Sequence, residues 1–141
     1  MDKTAVISGW LRAVEKLKAS DLELQAELYN ASVSSAYFAT FFAARTALLV
    51  HGVSSKTHSG IRHLFFEHLV KSGKMEREWA SCLGRQEDAR LGADYDFKRF
   101  STAEDAQEEN ETSHRFLDRI RQYLLTQGLT KSELNSPCLK K

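Results

Sequence analysis

The stretch "GRQEDARLGADYDF", residues 84–97, concentrates groups that can handle a phosphate. Arg85 and Arg90 supply guanidinium groups, Glu87, Asp88, Asp94 and Asp96 supply carboxylates, and Tyr95 supplies a phenol. Arg90 and Asp94 stand one helical turn apart, so they can meet as an ion pair worth about 0.2–0.5 kcal/mol on an exposed helix. The position of Arg90 suggests more than a surface charge. It falls on one helical stripe with Trp79, Leu83, Ala93 and Phe97. A guanidinium held among apolar neighbours needs an acceptor, and Asp94, Asp96 or a bound phosphate would serve.

Arg45 raises the same question. It interrupts the apolar run "AYFATFFAARTALLV" one turn after Phe41. A buried cation there is expected to pair with an acid, for which the helix carrying Arg90 is the natural source. The histidines are His51, His58, His63, His68 and His114. His63 and His68 lie about 140° apart around a helix, which sets them on different faces and argues against a shared metal. Cys82 and Cys138 have no metal-ligand spacing and no partner pattern for nucleophilic catalysis. No glycine-rich phosphate loop is present. No metal and no cofactor are expected.

These residues need a scaffold, and the breaker content points to helices. Proline occurs once, at Pro137, in 141 residues. That length fits one domain with a core of its own. The net charge of +1 excludes a generic polyanion binder, so any nucleic-acid contact must use a local patch. Residues 45–77 are rich in Lys and Arg, whereas Glu104, Asp105, Glu108, Glu109 and Glu111 form an acidic run. The simplest reading is two solvated faces. The N-terminus lacks a signal-peptide pattern, the apolar run is too short to span a bilayer, and the cysteine usage suits a reducing compartment. A soluble cytoplasmic protein is expected.

Helical periodicity predicts helices at about 4–18, 22–51, 59–71, 75–97 and 102–127. Ser20 or Asp21 is expected to cap the second, and Ser101 or Thr102 the fifth. The second is apolar on most sides and rich in small residues, so it should be the central helix. Fold class is therefore all-α, an antiparallel bundle of about five helices over residues 1–127, with a flexible tail over 128–141.

Three blocks together, "SAYFATFFAARTALLVHG", "SKTHSGIRHLFFEHLVKSG" and "RLGADYDF", resemble the HEPN domain family, over about residues 5–126. The last block is similar to the RxxxDY mark of its small stand-alone members. The resemblance implies an all-α homodimer that pairs with a minimal nucleotidyltransferase, in a toxin–antitoxin or nucleotide-transfer module. Several branches cleave RNA with an Arg-x4-6-His motif, in which arginine holds phosphate and histidine moves a proton. Arg90 matches the arginine, but Tyr95 stands in the histidine place. A phenol with an ordinary pKa of about 10 shuttles protons poorly at neutral pH. The resemblance thus implies a non-catalytic or weakly active RNA- or nucleotide-associated subunit with ligand residues Arg90, Asp94, Tyr95, Arg45 and His58. One alternative is a metal-independent RNase toxin using Arg90 with Tyr95, Asp94 or His58. Another is a structural helical module without a ligand. A further possibility is that Tyr95 accepts AMP from the partner, although the family places that tyrosine two residues beyond the histidine, where this chain has Phe97.

Overall fold

The computed structural model describes residues 1–135. Helix α1 spans Lys3–Gln25, α2 Tyr29–Leu49, α3 His58–Phe65, α4 Arg77–Tyr95, α5 Ala103–Thr126 and α6 Lys131–Leu134. After Phe65 the chain of α3 widens into a π-turn over Phe66–Val70. Short connections fold these elements into the all-α bundle that the periodicity predicts, with α2 packed against α1, α3, α4 and α5.

The centre of α2 is built from small side chains. Ala36, Ala39, Ala43, Ala44 and Ala47 are all at 0% exposure, so neighbouring backbones can approach closely. At Gly9 of α1, an added Cβ would lie 2.5 Å from Thr46 Oγ1 of α2. Helix α3 buries one stripe, Ile61, Phe65 and Leu69, at steps of four. Phe65 lies with its ring centroid 5.8 Å from that of Phe116 on α5.

Polar groups inside the bundle pair across helices. Ser20 and Ser32 each donate to the other's carbonyl oxygen at 2.9 Å, joining α1 to α2. Asn110 of α5 donates to Asp21 Oδ1 at 2.7 Å. Ser113 donates to Ala36 O at 2.7 Å and receives a bond from Gln86 Nε2 at 3.0 Å, which ties α5 to α2 and α4. Buried hydroxyls and amide donors are tolerated because they are satisfied in this way, although Gln86 Oε1 is buried without a partner among the described residues.

Those pairings explain one departure from the sequence reading. The expected break with Ser20 or Asp21 as a cap does not occur, and α1 runs on to Gln25. The cap-like residues at 20–21 serve the interhelical seam instead. The turn falls at Ala26–Leu28, where Glu27 adopts a positive φ of 63°.

Thr102 caps α5 in a reciprocal box with Asp105. Helix α4 ends at Tyr95, so Phe97 leaves the expected stripe and is 93% exposed. The tail expected from residue 128 is also different. Gly128 turns the chain at φ 97°, Leu129 and Leu134 are buried, and Trp10 Nε1 donates to Leu134 O at 3.1 Å. These apolar contacts and the Thr130 cap hold α6 against α1. Pro137 and Cys138 lie outside the described residues. No described helix is long and apolar enough to cross a membrane.

Candidate phosphate site

Three helical stripes meet along the middle of α2. From α2 come Ser34, Tyr37 and Phe41, spaced by three and four residues. From α4 come Leu83, Glu87, Arg90 and Asp94, spaced by four, three and four. His58 begins α3 and lies three residues before Ile61, so it extends the buried stripe of that helix toward Tyr37 and Phe41. Thr57 fixes this start by accepting the Gly60 N–H at 2.9 Å.

Arg90 is largely covered, with 12% of its side chain exposed. Its Cζ lies 5.4 Å from the ring centroids of Tyr37 and Phe38 and 5.8 Å from that of Tyr95. Those faces stabilise the cation through their ring quadrupoles. Asp94 Oδ2 stands 3.6 Å from Arg90 Nη1, which is an ion pair but too long for a hydrogen bond. The same carboxylate oxygen accepts from Ser34 Oγ at 3.1 Å, tying the end of α4 to α2. Arg90 Nε is buried without a hydrogen-bond partner among the described residues. The guanidinium is therefore held in place by aromatic faces, with unfilled donors.

Beside it lies a second cluster. Tyr37 is 1% exposed and donates its hydroxyl to Glu87 Oε2 at 3.1 Å. His58 Nδ1 lies 2.5 Å from the same hydroxyl oxygen. The imidazole stacks on Phe41 at a centroid distance of 4.2 Å and an interplanar angle of 13°. Arg62 Nη1 stands 3.6 Å from Glu87 Oε1, on the other carboxylate oxygen. Burial, reinforced by the Glu87 carboxylate, pushes the Tyr37 phenol well above its ordinary value. The phenol therefore stays protonated and remains a donor. Burial also lowers the His58 pKa. Glu87 opposes that shift, while Arg90 and Arg62 add to it.

The expected residues thus divide. Arg90, Asp94 and Tyr95 come together, and His58 joins them through Tyr37 and Phe38. Arg45 does not. It is exposed, shows no ion pair among the described residues, and lines a shallow cleft of about 270 Å³ between α1 and α2 with Arg12, Ser8 and Phe42. It was expected to be buried because its neighbours in sequence are apolar. However, α2 keeps a solvent-facing edge at that position, two turns beyond Phe38. Tyr37 and Arg62 were not anticipated, and Glu87 was named only as one carboxylate of the charged stretch. The signal for Tyr37 was a phenol inside an apolar helix, which requires a buried partner. Among the described residues no cluster of His, Cys, Asp and Glu could hold a metal ion.

The family model described as the HEPN domain matches residues 8–123, a span that contains the whole cluster. A provisionally named toxin of Methanocaldococcus jannaschii is 27% identical over 122 residues, covering 86% of this chain and 83% of that protein. Another provisionally named toxin of the same organism is 30% identical over 112 residues, covering 79% and 83%. A UPF0332 protein of Gloeobacter violaceus is 38% identical over 84 residues, covering 60% and 67%.

Proposed function

The chain belongs to the HEPN domain family, and from that premise we propose that it is an RNA- or nucleotide-associated subunit that grips phosphate through Arg90. One observation carries the reading: a covered guanidinium, 12% exposed, whose carboxylate neighbour is beyond hydrogen-bond distance and whose Nε has no partner among the described residues. A phosphate oxygen would accept short, charge-assisted bonds from the outer guanidinium nitrogens, whereas Nε itself is buried. The rings of Tyr95, Phe97 and Phe100 are exposed at the end of α4 and beyond it, which suits stacking of unpaired bases next to the phosphate.

In this reading the chain works as a homodimer and pairs with a minimal nucleotidyltransferase in a toxin–antitoxin-type module. The toxin names of the two Methanocaldococcus proteins support the toxin part, and the dimer and the nucleotidyltransferase are what the family resemblance implies. Tyr95, at 66% exposure, is a hydroxyl that such a partner can reach for AMP transfer.

Fluorescence anisotropy with a labelled single-stranded RNA tests the binding, and sedimentation equilibrium tests the pairing. Affinity that falls as salt rises, together with a dimer mass, is expected. No RNA binding even at low salt would remove the phosphate reading. A monomer at high concentration would remove the dimer.

A further inference from the structure

We propose that the cleft between α1 and α2 holds a second phosphate of the bound strand, so that single-stranded RNA runs from Arg90 along one face of α1 and α2 to Arg12 and Arg45. The proposal rests on the reading of Arg90 as the phosphate holder, and it assigns the path of the strand beyond that residue.

Spacing on the two helices sets up this face. Phe38, Phe42, Arg45 and Leu49 recur along α2 at steps of four, three and four, which keeps them on one side of the helix. Ser8, Arg12 and Lys16 recur along α1 at steps of four. Helix α1 packs against α2, and the close approach of Gly9 to Thr46 brings the two rows to either side of a cleft.

Cations and rings alternate from Arg90 outward. Arg90 Cζ lies 5.4 Å from the Phe38 centroid, and Lys16 Nζ lies 5.9 Å from the same centroid. The Phe38 and Phe42 centroids are 6.2 Å apart. Phe42 lines the cleft of about 270 Å³ that contains Arg12 and Arg45. It also lines an adjoining open groove of about 340 Å³ with Arg12, Glu15 and Lys16. The two hollows share Arg12 and Phe42, so the face is continuous.

Charge on this face suits a polyanion. Arg12, Lys16 and Arg45 make no ion pair among the described residues. Glu15, an exposed carboxylate, stands against these three cations. Arg12 and Arg45 are exposed, so their guanidinium forks keep their donors for a phosphate. Phe38 and Phe42 are half-buried, which fixes the rings and leaves surface on which bases of any sequence can stack. An acidic peptide would satisfy the cations. The alternation of ring and cation, joined to the Arg90 site, is instead the pattern that tracks a single strand.

Arg12→Gln combined with Arg45→Gln removes two exposed cations that hold no ion pair among the described residues, so the bundle should fold as in the wild type. The control is Lys18→Gln combined with Lys71→Gln, an equal charge change on another side of α1 and after the π-turn. Wild type, both double variants and R90A are titrated with one labelled single-stranded RNA of about 12 nucleotides over a salt series. R12Q/R45Q should bind about tenfold more weakly or worse, with the slope of log affinity against log salt shallower by about 1.4, from two phosphate contacts at about 0.7 each. K18Q/K71Q should stay within about twofold of wild type. R12Q/R45Q that binds like wild type, or no more weakly than K18Q/K71Q, overturns the strand path, and lost affinity in R90A alone leaves the phosphate reading standing. R90A that binds like wild type overturns both. Sedimentation of R12Q/R45Q checks the other occupant: a fall from dimer to monomer would make this face an interface between copies and overturn the strand path.

Discussion

Arg90→Ala weakens binding of single-stranded RNA by about 1.5–3 kcal/mol, roughly tenfold to hundredfold, while the bundle stays folded. The magnitude is that of hydrogen bonds to a charged group. It applies because the three rings around the guanidinium hold it ready, so little ordering is lost on binding. The fold tolerates the change for two reasons. Asp94 keeps its bond from Ser34 at 3.1 Å, and the substitution removes a buried Nε that has no acceptor among the described residues. Anisotropy titrations of both proteins, with thermal denaturation as the fold control, measure the effect. Equal affinity in the two proteins would mean that Arg90 is a structural cation only.

Phe65→Ala has the largest expected effect on stability, a loss of about 3–5 kcal/mol. Phe65 is at 0% exposure, its ring packs against Phe116, and the same stripe holds Ile61 and Leu69. Truncation leaves a cavity between α3 and α5 that close-packed neighbours fill only partly. Because α3 carries His58, the loss should also loosen the bond from His58 to Tyr37. Urea denaturation followed by circular dichroism gives the number. A change below about 1 kcal/mol would show that α3 is anchored by something other than this stripe.

The comparison of sequence with structure follows from what periodicity can and cannot encode. The α2 alanines and the α4 stripe through Leu83 and Arg90 were legible because one-dimensional spacing maps directly onto a helix face. Ser20 and Asp21 misled because the residues that cap helices are also those that can pair inside an interhelical seam, and Ser32 and Asn110 lie far from them along the chain. Arg45 misled in the opposite sense, since an apolar run does not reveal which edge of the helix is left uncovered. Tail residues Leu129 and Leu134 were too few to make a pattern, yet each is buried. At the site, the closeness of Arg90 and Asp94 could be read from one-turn spacing, whereas Tyr95 was named as a ligand only through the family resemblance. The link from His58 to Glu87 through Tyr37 joins residues on three helices, and no local pattern contains it.

The most direct measurement is nitrogen–proton NMR of the arginine side chains as a short single-stranded RNA is added. Arg90 Nε–H has no acceptor among the described residues, so its signal reports on the guanidinium, and a phosphate held at the outer nitrogens should move it in step with RNA added. RNA that binds while the Arg90 signal stays in place, with Arg12 and Arg45 at the cleft between α1 and α2 moving instead, would contradict the account.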